Sequence, residues 1–418
     1  MDTSLAISCQ AAMASKSSAL LARAPYTNDT VTITRTHAPA HGELPSELIG
    51  QILRYHSEDK ATISICALVC RVWHIEASRL RMSKKELVRY QDQLDEFFEL
   101  LKPPYSGLRV LPIESLTIRS KESKADFDVM DNFLHWRTSD GLPLSAVLTS
   151  ILKLTFDSVR MGELTSAGLH TLTNFERVTA LELDWVTFPY SHTLLLPIIA
   201  LKSLELATLR GCRVGTVTRE ATFTPTHERL KALVLKDASR DVLTVFATGI
   251  RYKKGLRALH LAFINYRVPI DVIHESQLLL KTAGPSLDEL KVEITANGTF
   301  YLETEKQAFL DMLRLPHNPN LRHIILDIVA EWLILPFVKG LTMDTVQDLV
   351  FTLDCGIISP DKQTYWAELD HLLASSQFEQ LKALRFFLFR RLDNRFVDEL
   401  HRLLPRFSSR GEITEAAF

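Results

Sequence analysis

Four carboxylates (Asp157, Glu182, Asp184, Glu205) and two cysteines four residues apart (Cys66, Cys70) are the groups whose types and spacing could do chemistry. Thiols one helical turn apart can ligate a metal. A closed zinc site needs four ligands, however, and this pair supplies two. His274-Glu275 likewise lacks the second His of a His-Glu-x-x-His helix. There is no Gly-x-Ser-x-Gly turn, Walker loop or dinucleotide fingerprint. Only 15 glycines occur in 418 residues, few for loops that cradle phosphate. The residues therefore predict no enzyme, no cofactor and no metal. What remains is binding: carboxylates brought together on one surface could hold a basic segment of another protein.

Composition bounds the class. Hydrophobic residues make up 46% and charged residues 23%, as in a globular protein, and the formal net charge of −2 gives no field toward nucleic acid or an anionic membrane. Five scattered cysteines do not make a disulfide framework, which suits a reduced compartment, cytoplasm or nucleus. No apolar run approaches the length of a membrane span.

The elements that would position the carboxylates come from an internal repeat. An apolar-x-x-apolar-x-apolar frame occurs ten times. The frames are Ile113/Leu116/Ile118, Ile151/Leu154/Phe156, Val178/Leu181/Leu183, Leu201/Leu204/Leu206 and Leu230/Leu233/Leu235. They continue with Leu256/Leu259/Leu261, Leu287/Leu290/Val292, Leu321/Ile324/Leu326, Val346/Leu349/Phe351 and Leu381/Leu384/Phe386. The last two apolar residues of each frame are two apart and share one face of a strand. Between frames, Asp241–Tyr252, Ile270–Thr282, Glu303–Leu315 and Lys362–Ser375 have helical periodicity. One unit cannot bury its own apolar face, but a stack of units can. Residues 111–400 resemble an irregular leucine-rich-repeat array, which implies parallel strands on a concave face and helices on a convex one. In this frame Asp157, Glu182, Asp184 and Glu205 fall on the concave face of three consecutive repeats. The Asn or Cys expected at the ninth position is mostly absent, with Val186, Leu209, Ala238 and Ile264 standing there in four frames.

Ahead of the array, residues 42–82 form a compact apolar block, and 84–102 show helical spacing ended by Pro103 and Pro104. Pro45 suits a first helical turn. Leu48, Ile52 and Tyr55 make one stripe at i, i+4, i+7, and Ile63, Cys66 and Cys70 make another. A domain of about 40 residues buries too little surface to stand alone, so an uncovered stripe here would mark an interface.

The order LPSEL…IL…LVCRVW in Leu44–Leu80 resembles an F-box. The resemblance implies docking on the Skp-type linker of a Skp–cullin–F-box ubiquitin ligase through Leu44, Pro45, Leu48, Ile52, Leu53, Val69, Cys70 and Trp73. His56 departs from the family, which usually has Leu there.

The expected organisation is α/β. It runs from a disordered leader (1–41) through a three-helix F-box (42–82) and a linker helix with its Pro-containing connection (83–110). A curved solenoid (111–400) and a C-terminal tail (401–418) follow. The expected function is presentation of a target protein to a cullin–RING ligase, with no nucleic-acid or membrane partner. The alternative is an interaction scaffold whose F-box serves a ligase-independent assembly.

Overall fold

The computed structural model describes residues 44–56, 59–81, 85–88, 91–102, 113–120, 128–162, 166–216, 226–252, 255–263, 268–294, 303–328, 331–341, 344–353, 363–388 and 395–415. The leader at 1–41 and the ninth-position residue Ile264 lie outside them. The chain divides into two compact units, Met1–Ile52 and Leu53–Phe418.

Twelve strands of the second unit pair in sequence order into one sheet, and every pairing is parallel. They are β1 (Lys85–Val88), β2 (Ser115–Arg119), β3 (Lys153–Asp157), β4 (Ala180–Asp184), β5 (Leu206–Arg210) and β6 (Ala232–Lys236). The rest are β7 (Ala258–Phe263), β8 (Glu289–Ile294), β9 (His323–Ile328), β10 (Asp348–Leu353), β11 (Ala383–Leu388) and β12 (Glu412–Glu415). Parallel neighbours need a crossover, and helices supply most of the later ones: Arg240–Thr248, Ile270–Ala283, Glu303–Met312, Glu331–Gly340 and Gln363–Leu373. Four of these lie close to the helices read from periodicity, and Glu331–Gly340 was not among those read.

Register makes one continuous core. Leu154, Leu181, Ala207, Leu233, Leu259 and Leu290 are mutual partners across β3–β8, and Phe156, Leu183, Leu209, Leu235, Leu261 and Val292 run beside them. All are buried, and one apolar cluster extends from Leu94 to Ile413. Partners sit about 4.8 Å apart, so each unit covers the apolar face its neighbour exposes.

Nine of the ten frames match this register; the fourth does not. Ala207 and Leu209 stand where Leu204 and Leu206 were expected. Leu201 instead ends the helix Ser191–Ala200, its N–H donating to the Pro197 carbonyl. The sequence LKSLELATL satisfies the pattern in two frames three residues apart. Helix capping at Leu201 and burial of Ala207 select the second.

Two further strands of this sheet were not foreseen. The helix expected over 84–102 begins only at Gln91, and Lys85–Val88 is a strand paired with Ser115–Ile118. At the other end, the expected tail contributes β12. That end is held by Asp370, a buried side chain on the helix Gln363–Leu373. Its Oδ1 accepts from the backbone N–H groups of Arg406 (3.1 Å) and Phe407 (2.9 Å), satisfying the first turn of the short helix Pro405–Ser408. Asp370→Ala strands both donors and should cost about 2–4 kcal/mol. Chemical denaturation should show that loss, and hydrogen exchange should quicken first at Arg406 and Phe407.

Candidate functional site

In the segment 44–81 the sequence separates inward from outward residues by helical phase. The helix Ser46–Tyr55 starts behind Pro45, whose carbonyl accepts from the N–H groups of Leu48 and Ile49 at 3.1 Å. Ile49 and Leu53 are buried, whereas Leu48, Ile52 and Tyr55 are exposed, Tyr55 by 88%. The helix Lys60–Cys66 is capped by Asp59, which accepts from Ala61 N (3.1 Å) and Thr62 N (3.0 Å) and from the Thr62 hydroxyl (2.6 Å). The Thr62 hydroxyl is the main reason the Asp59 carboxyl lies below its ordinary value. Ile63 and Ala67 are buried there, whereas Ile65, Leu68 (85%) and Val69 are exposed, as is Val72 on the next helix, Arg71–Arg81.

Of the eight candidate docking residues, Leu44, Pro45, Leu48, Ile52, Val69 and Cys70 are exposed, Trp73 is half-buried and Leu53 is fully buried. Leu53 thus belongs to the packing behind the surface. Thirteen large apolar side chains are exposed among the described residues, and eight of them lie between Leu44 and Val72. Single exposed apolar side chains are ordinary; here they are concentrated within one short stretch of sequence. Cys66 and Cys70 are free thiols, and no group of His, Cys, Asp or Glu fit to hold a metal occurs among the described residues. None of the described helices is long and apolar enough to cross a membrane.

The second candidate is the polar face of the sheet. Register brings three of the four carboxylates together: Asp157 partners Asp184, and Glu182 partners Thr155. Glu205 is not among them. It precedes β5, and its carbonyl accepts from Lys231 N and Ala232 N. Thr179 plays the same role for Glu205 N and Leu206 N, which fixes Glu205 as a strand-entry residue. The positions expected to carry Glu205 and its neighbours carry Thr208 and Arg210 instead.

The three carboxylates do not form an uncompensated patch. Arg119 pairs with Asp157, Lys153 Nζ lies 2.6 Å from Glu182, and Arg210 Nε lies 3.9 Å from Asp184. Thr155 Oγ1 also donates to Glu182 at 3.2 Å. Burial raises the Asp184 carboxyl above its ordinary value; Arg210 opposes this, and Asp157 and Glu182 add to it.

Further along the same face, His260 Nε2 lies 3.1 Å from Glu293 Oε2. Ionised Glu293 can only accept, so Nε2 carries the proton. This hydrogen bond, opposed by burial and helped by Lys291, holds the Glu293 carboxyl down at about 2 against an ordinary 4.5. A depressed carboxylate stabilises the fold above its unfolded value and loses that contribution as pH falls through the folded one. His260→Ala should therefore flatten the decline of stability between pH 4.5 and about 2, a change that denaturant midpoints across that window would detect.

The sequence missed one residue for a traceable reason. In the observed register Cys212, not Leu209, is the ninth residue of the fourth unit. It is buried, and its Sγ donates to the Leu183 carbonyl at 3.2 Å. Burial pushes its thiol up to about 12. Reading the frame from Leu204 instead of Leu201 would have found it.

Elsewhere the strand exits are satisfied by backbone. Ser158, Trp185, Gly211 and Asp237 each follow a ladder strand with positive φ. Their N–H groups donate to the carbonyls of Asp184, Arg210, Lys236 and Ala262 on the next strand at 2.7–2.9 Å.

No family model matches the chain, and no curated protein matches it. Among solved structures, a protein from Bacteroides fragilis is similar over 72% of this chain and 74% of its own, with 13% sequence identity and a TM-score of 0.36.

Proposed function

We propose that the chain is the substrate-recognition adaptor of a Skp–cullin–F-box ubiquitin ligase, with Leu44–Leu80 docking the Skp-type linker and the strand–helix array holding a target protein. One observation carries this reading: the segment whose residue order resembles an F-box leaves Leu44, Leu48, Ile52, Leu68, Val69 and Val72 exposed. Water-facing apolar side chains on short helices gain about 25 cal/mol per Å² when a partner covers them. The array that follows the segment in sequence, read as an irregular leucine-rich-repeat solenoid, offers a face lined by charges of both signs, suited to another protein more than to a small molecule.

The test is capture of purified Skp-type linker and cullin by the full chain. Recovery of both supports the adaptor. Recovery of the linker without cullin supports a ligase-independent assembly, and recovery of neither removes the proposal.

A further inference from the structure

Between β5 and β6 the crossover is unlike the later ones. Its described residues hold two short strands, Arg213–Thr216 and Thr226–His227, and no helix. Thr226–His227 pairs in parallel with Arg251–Tyr252, which precedes β7. His227 is buried, 4% exposed, where this segment turns into β6. Its Nδ1 accepts from the backbone N–H groups of Leu230 at 2.9 Å and Arg229 at 3.2 Å. A backbone N–H can only donate, so Nδ1 carries no proton and the neutral ring keeps its hydrogen on Nε2. Nε2 donates to the Leu201 carbonyl, 3.4 Å away at the end of the helix Ser191–Ala200. One imidazole thus caps the entry to β6 and ties it to the preceding unit.

The same geometry refuses a second proton. Protonated Nδ1 would turn from acceptor to donor, face two N–H groups and strand both. The surroundings act in the same direction. Burial lowers the His227 imidazole below its ordinary 6.5, and the carbonyls of Leu201 and Ile198 and the Glu228 carboxylate offset this only in part. Lys202, Arg229 and Arg251 on the adjoining segments are exposed to water. Across the strand pair, burial raises the Tyr252 hydroxyl, so it stays neutral. Opening the segment returns the ring to water, where it takes a proton near 6.5. The open form therefore binds more protons than the closed one, and the closed form loses stability as pH falls below 6.5.

We propose that His227 is an acid-released clasp, tying residues 226–230 to Leu201 while its ring is neutral and letting them open when Nδ1 takes a proton from solvent. The device is independent of the ligase reading and of what the array binds.

The test follows amide hydrogen exchange of the full chain, corrected for the intrinsic effect of pH, at about pH 7.5 and about pH 5.5. Opening at Arg229 and Leu230 should increase at least about fivefold at the lower pH; one proton allows about tenfold per pH unit. His227→Asn places an amide oxygen near the position of Nδ1 and cannot titrate. It should keep the fold and abolish the increase. Nitrogen NMR of the histidine-labelled wild-type chain should show Nδ1 bare and Nε2 protonated at neutral pH, with a titration midpoint for His227 below 6.5. Unchanged opening in the wild type, a full increase in His227→Asn, a proton on Nδ1 at neutral pH, or a midpoint at or above 6.5 would each overturn the proposal. If His227→Asn fails to fold, the two wild-type measurements decide alone.

Discussion

Leu48→Asp combined with Ile52→Asp is expected to weaken capture of the Skp-type linker by at least about a hundredfold without lowering the melting temperature. Both side chains are exposed on the helix Ser46–Tyr55, so the free protein loses little apolar burial when they change. In a complex, each apolar side chain would contribute about 1.5–3 kcal/mol by leaving water. A hundredfold is about 2.7 kcal/mol, and each new carboxylate adds the cost of burying an unpaired charge. Leu53→Ala is the contrasting variant. Leu53 is fully buried one residue along the same helix, so its truncation should cost about 2–5 kcal/mol of stability. A double mutant with unchanged linker capture and an unchanged melting temperature would refute the docking assignment.

Ala207→Lys should be among the most damaging single substitutions in the array, at about 4 kcal/mol or more, while Leu206→Lys beside it should stay within about 0.5 kcal/mol. Ala207 is fully buried between its partners Leu181 and Leu233. A lysine there must bury an ammonium or break the ladder at β5. Leu206 is 37% exposed on the polar face and can become lysine in contact with water. The frame read from sequence predicts the reverse, because it buries Leu206 and turns Ala207 outward. Urea denaturation of the two variants decides which frame is real, and equal stabilities would contradict the register described above.

Several elements were legible because their cause is local. Pro45 and the Leu48/Ile52/Tyr55 stripe follow from first-turn preference and helical phase, and each occupies the element its spacing implies. Nine ladder strands were legible because period-two burial in stacked units repeats the same apolar triple. The failures share a different cause. Lys85–Val88 is a strand only because Ser115–Ile118 lies beside it; alone, Leu87 fits a helical stripe equally well. Glu205 left the carboxylate group because a three-residue shift in one frame turns a face position into a strand-entry position. The same shift hid Cys212.

By itself, then, the chain's residue order determined an α/β stack of apolar units and the phase of its N-terminal helices. Tertiary structure alone decided which of two overlapping leucine frames is buried, which basic partner neutralises each carboxylate, and that the His227 ring meets the Leu201 carbonyl. Periodicity is a property of one segment and can be read along the chain. Register, ion pairing and close approach depend on what a different segment places opposite, and that partner lies some 20 to 40 residues away along the chain.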